Sequence, residues 1–269
     1  MNYEDQKKEF ALNEKISNTI LVFLLLVRLV DQDLIALIFG ASVPDWVPYW
    51  DNSIAYILTA TIIWLNRHRL VGLNIDRPFV VVFILGGALY ALRTTSNNIG
   101  VLVGITAGLI FWAYQNNLFV FKNPVPYPKG TGLLILLSII LALAPVLRFG
   151  LILKPLLNFQ TFIATFMGSL QSFLAIIVVE EVIFRGALWA YLQSLGLSEK
   201  TSFYTQAFLF WIAHHRILLL GHQYSFWVAI PCMSILLGLL AWRSKSLTPS
   251  TIGHFLFNFL SQFLLITFS

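Results

Sequence analysis

Charge is the scarcest feature of this chain: 11% of its residues are Asp, Glu, Lys or Arg, against 58% hydrophobic, and the mean hydropathy is +0.80. A soluble domain carries about 25% charged and about 45–50% apolar residues. Too few charges are present to coat a water-facing surface, so the apolar surplus must face lipid. Cysteine is nearly missing as well. Cys232 stands alone, which excludes an internal disulfide framework and a cysteine-rich metal site. It lies in an apolar run, where a free thiol behaves as a small hydrophobe. Basic clusters are also lacking. The net charge is +5, but Lys and Arg occur one to three at a time, without the basic and aromatic stripe of a nucleic-acid groove. No nucleic-acid partner is expected. The opening residues, 1–17, mix three Lys with four acidic residues, unlike the short basic start of a cleavable leader. They read as a cytoplasmic tail. No internal repeat stands out.

Long apolar runs fill most of the rest. A bilayer crossing takes about 17–25 apolar residues as a helix. Nine candidate spans lie near 18–41, 52–66, 78–93, 99–115, 131–148, 161–184, 201–214, 224–242 and 249–268. The first is interrupted by Arg28, Asp31 and Asp33, which requires either an added interfacial helix or charges paired inside the bundle. With the N-terminus in the cytoplasm, twelve Lys and Arg fall on the inner side and four on the outer, the bias of the positive-inside rule. Trp46, Tyr49, Trp50 and Trp64 fall at expected interfaces. Gly100, Gly104 and Gly108 form a small-residue stripe suited to close helix packing. Pro124, Pro126 and Pro128 mark the clearest break.

The fold class that follows is all-α: a polytopic transmembrane helix bundle of 8–9 spans with a polar intramembrane cavity. Its parts are a tail at 1–17, an N-terminal bundle at 18–115, a Pro-rich connector at 116–130 and a C-terminal bundle at 131–269, with the chemistry-bearing core at 161–269.

That core holds polar groups where lipid-facing helices should have none. Glu180 and Glu181 end a long apolar run, with Arg185 four residues after the second acid. A charge at mid-membrane costs about 2.5–3.5 kcal/mol, and such residues usually face a bundle interior and serve function. The spacing puts Glu181 and Arg185 on one helix face in the favourable order for a pair. Glu180 points about 100° away, which leaves it for chemistry. Phe210 and His214 share a face at the end of another run, and His254 and Asn258 share a face of the last. His215 and His222 read as solvated. Three spans thus each contribute polar groups that only one another, or water, can satisfy. Two acids, two imidazoles and an amide make a water-activating centre.

These residues resemble the CPBP family of intramembrane peptidases, the CAAX proteases and bacteriocin-processing enzymes also called the Abi family. The family motifs E-E-x-x-x-R, F-x-x-x-H and H-x-x-x-N stand here, in order, as Glu180-Glu181-Val182-Ile183-Phe184-Arg185, Phe210-Trp211-Ile212-Ala213-His214 and His254-Phe255-Leu256-Phe257-Asn258. Phe184-Arg185-Gly186 and Ser246-Leu247-Thr248-Pro249-Ser250 extend the likeness, which covers residues 161–269. The resemblance implies an endopeptidase with Glu180, Glu181, His214, His254 and Asn258 as catalytic residues and Arg185 and Phe210 as supports. Glu180, helped by His214, would take a proton from water, while His254 and Asn258 steady the oxyanion. The family is commonly called metallopeptidase; a zinc ion would take Glu180, His214 and His254, but a metal-free glutamate-activated water explains the same residues. The expected partners are membrane lipid and a peptide or protein with a membrane-proximal cleavage site, at a bacterial plasma membrane. Rival readings are a non-catalytic immunity or interaction protein and a proton-coupled transporter, though no paired broken helices repeat in the two halves as many carriers show.

Overall fold

The computed structural model describes residues 3–39, 44, 46–93, 127–148, 159–219 and 223–268, and all regular structure within them is helical. The helices are α1 (Tyr3–Phe39), α2 (Trp46–Leu65), α3 (Arg77–Arg93), α4 (Thr131–Arg148), α5 (Phe159–Glu181), α6 (Leu188–Ser194), α7 (Glu199–Ile212), α8 (His215–Leu219), α9 (Ile230–Ser244) and α10 (Leu247–Phe268). A 3-10 segment (Arg67–Leu73) precedes α3, and two π segments, Val182–Ala187 and Ser225–Ala229, precede α6 and α9. The span at 99–115, the glycine stripe within it and the connector up to residue 126 lie outside the described residues.

Local chemistry sets the helix ends. Ser198 accepts a hydrogen bond from the Thr201 amide at 3.1 Å and caps α7, with Glu199 in its first turn. The Thr248 amide donates to Ser246 Oγ at 3.1 Å and so starts α10. Asn74 and Lys245 carry positive φ, +57° and +50°, and each reverses the chain after a helical segment.

Two differences from the sequence reading stand out. Residues read as a tail are helical, because α1 runs unbroken from Tyr3 through the interruption at Arg28. The first acidic motif sits at the junction of α5 with a π segment rather than on a uniform α-helix. Gly186 lies in that segment, and a Cβ there would stand 3.0 Å from the Leu73 carbonyl oxygen. Only a glycine lets the 3-10 backbone approach so closely.

Among the described residues, Tyr3–Val30 and Ser225–Ser244 are long and apolar enough to cross a membrane individually. Arg67–Leu73 and Arg77–Tyr90, bent by 103°, make a third candidate as one broken span, and Thr131–Ala142 is a shorter apolar helix. Large apolar side chains such as Phe23, Leu26, Val30, Leu133, Leu136 and Ile140 are exposed, as a lipid-facing surface requires. Helix α5 lies at the centre, packed by α2, α3 and α10, and the π segment after it meets α1, α2, α7, α10 and the 3-10 turn. The polar motif residues Glu181, Arg185 and His254 gather at this crossing.

Candidate active site

Glu181 and Arg185 are both fully buried, and Arg185 Nη1 donates to Glu181 Oε1 at 3.3 Å. The same carboxylate oxygen lies 2.9 Å from His254 Nδ1 on α10. A carboxylate accepts, so the imidazole proton sits on Nδ1 and turns Nε2 toward Glu180, whose Oε2 is 3.8 Å away. Glu180 and His254 are too far apart for a direct hydrogen bond. An oxygen atom placed beside the two could contact both. Fixing the ring through a second carboxylate is the arrangement that orients a working histidine.

His214 closes α7. Its Nδ1 is 2.7 Å from the Phe210 carbonyl oxygen. A carbonyl can only accept, so Nδ1 carries the proton and Nε2 keeps its lone pair when the ring is neutral. His214 is within electrostatic reach of Glu180, His254 and Arg28. His215 belongs to the next helix, α8, so the first of the two adjacent imidazoles is the one folded back against Phe210.

Phe210, 2% exposed, joins the parts. Its ring lies 4.5 Å from that of His214 and meets His254 edge-on at 5.7 Å. The Arg185 guanidinium carbon stands 3.9 Å from the same ring centroid, a cation over an aromatic face. Phe184 adds an edge contact at 5.2 Å. Asn258 is one turn beyond His254 on α10, partly exposed, and is not drawn into this network among the described residues.

Sequence reasoning missed two contributors. Arg28 of α1 brings Nη2 to 3.6 Å from Glu180 Oε1; its presence in an apolar run was the available signal, but not its partner. Asn74 donates from Nδ2 to the Arg185 carbonyl at 3.2 Å, and its backbone carbonyl accepts from the Leu247 amide at 2.7 Å. Asn74 therefore links the π segment to the start of α10. A positive φ at an Asn is visible only in the structure.

A metal needs several ligands aimed at one point. Among the described residues, no three His, Cys, Asp or Glu side chains form such a group. Glu180, His214 and His254 as placed do not fit a metal ion, and no step below passes through one.

Residues 161–260 match the family model for Rce1-like: Type II CAAX prenyl endopeptidase Rce1-like. The match supports assigning that stretch to the CPBP, or CAAX protease, family. The match spans all three motifs, from the acidic pair to Asn258. No curated protein and no solved structure matches the chain. The matched family is one of proteases, and the long apolar helices accord with a membrane setting. In CPBP terms, Arg28 and Asn74 lie outside the matched stretch, yet both reach the motif residues.

Proposed function

We propose that this protein is a membrane-embedded endopeptidase that uses Glu180 to activate water against a peptide bond near the bilayer surface. The observation that carries the reading is the meeting of Glu180, Glu181 and Arg185 with His254 from another helix, behind the ring of Phe210.

Glu181 already serves Arg185 and His254, so Glu180 is the acid left for proton transfer. It accepts a proton from water as the oxygen attacks the scissile carbonyl carbon, and the Nε2 lone pair of His214 assists. The proton then passes from Glu180 to the leaving amine as the C–N bond breaks. Negative charge builds on the former carbonyl oxygen, facing His254 Nε2 and the Asn258 amide. In that role His254 carries both ring protons, one of them held by Glu181. A donor so placed is worth about 2.7–4 kcal/mol in other acyl-transfer sites.

The proposed setting is a bundle of 8–9 spans in a bacterial plasma membrane, with the N-terminus in the cytoplasm and a lipid-anchored or membrane-proximal peptide as substrate. Peptides ending in a Cys-aliphatic-aliphatic-X box, with and without a prenyl group, are the first probes. Glu180→Gln should end product formation while leaving the melting temperature near that of the parent. A Gln variant that cleaves at the parental rate would remove the assignment.

A further inference from the structure

The two acids of the motif have separate arginine partners, supplied by different parts of the chain. Glu181 is paired on its own helix with Arg185, four residues on, at 3.3 Å. Glu180 faces Arg28, which comes from α1, outside the family-matched stretch, at 3.6 Å. Both members of this second pair are largely shielded, at 15% and 13% exposure. Arg28 also lies within electrostatic reach of Asp51 on α2 and lines a cavity with Asn52, Tyr56 and Tyr90.

The pairs differ in where His254 meets the carboxylate: at the arginine-paired Oε1 in Glu181, but at the other oxygen in Glu180. Arg28 addresses Glu180 through Oε1, whereas Oε2 of the same carboxylate faces His254. A guanidinium closed on both oxygens, as in a fork-to-fork pair, would leave no oxygen for water. With Nη2 3.6 Å from Oε1, Arg28 biases the rotation of the carboxylate while Oε2 is turned toward His254 and the reacting water. We infer that Arg28 is a positioning residue for Glu180, which makes α1 a structural part of the active site. This rests on the peptidase reading above. A lysine keeps the charge but not the shape and reach of the guanidinium.

Arg28→Ala, Arg28→Gln and Arg28→Lys in the full chain, assayed on the cleavable peptide beside Glu180→Gln, test the inference. A misplacement of about 1 Å in a reacting group can cost about 100-fold in rate. That loss should fall on kcat in Arg28→Ala and Arg28→Gln, with KM nearly unchanged and Arg28→Lys intermediate. Guanidinium ion at millimolar concentration, far below denaturing levels, should restore part of kcat to Arg28→Ala and none to Glu180→Gln. Parental kcat in Arg28→Ala, with Glu180→Gln inactive, would overturn the role of Arg28 and leave the peptidase reading intact. A loss in all three variants that guanidinium does not restore and that follows a lowered melting temperature would reduce Arg28 to a helix anchor. Activity retained in Glu180→Gln would remove both readings together.

Discussion

Replacing Arg185 by Ala strands a carboxylate in the centre of the bundle, and the cost can be worked from the geometry. Glu181 and Arg185 are both 0% exposed, with 3.3 Å between Oε1 and Nη1. At an effective dielectric of about 20, their gross attraction is about 5 kcal/mol. The cation over Phe210, 3.9 Å from the ring centroid, adds about 2 kcal/mol when desolvated. His254 remains as a partner for Glu181 at 2.9 Å and retains a charge-assisted hydrogen bond worth about 1.5–3 kcal/mol. The net loss should therefore be about 3–5 kcal/mol, the usual range for breaking one side of a buried pair. In a chain of this size, that corresponds to a fall of about 10 °C in melting temperature. The assay is intrinsic tryptophan fluorescence during heating of the detergent-purified protein. The double variant Glu181→Leu with Arg185→Met should recover most of the stability, because apolar replacement of a whole buried pair is often neutral. Unchanged melting of Arg185→Ala, or a double variant that loses the sum of the single losses, would refute the reasoning.

Two further outcomes rest on other contacts. Gly186→Ala places a methyl 3.0 Å from the Leu73 carbonyl oxygen, a backbone atom that cannot swing aside; destabilisation of about 1–3 kcal/mol is expected, and parental melting would contradict the close approach. The Trp242 indole and the Lys245 ammonium hold the Glu199 carboxyl below the ordinary glutamate value of 4.5. Because the native value is the depressed one, this contribution is complete above 4.5 and is lost as pH falls through the native value. Trp242 emission should therefore report an acid transition below the usual glutamate range that Glu199→Gln removes, and an identical titration in the variant would count against the contact.

The helices and the motif triad were legible in the sequence for the same reason: their signals are local. Apolar runs foretold the helices at 77–93, 131–148 and 247–268 to within two residues, while the helix at 46–65 begins six residues before its expected start at 52. A spacing of four put Glu181 with Arg185, since helical geometry alone decides which side chains share a face. The remaining features depend on distant partners. Nothing around Arg28 names Glu180, and no residue pattern announces the π segment after Glu181, which shows itself where Gly186 meets the 3-10 backbone. The division of labour between the acids required the position of His254, which favours Glu181 by contact and faces Glu180 across a gap.

The threading of α10 has a consequence for how the chain can be cut. Its first turn is fastened less to the loop that precedes it than to the region around Asp76. There Thr248 Oγ1 donates to Asp76 Oδ1 at 2.7 Å, Tyr127 donates to Oδ2 at 3.0 Å, and the Leu247 amide bonds to Asn74. The height and rotation at which His254 enters the bundle are therefore borrowed from residues far upstream. A fragment trimmed to 161–260 would keep all three motifs and lose the fixture that sets their alignment. The motif-bearing stretch of this molecule is a component, not a free-standing unit.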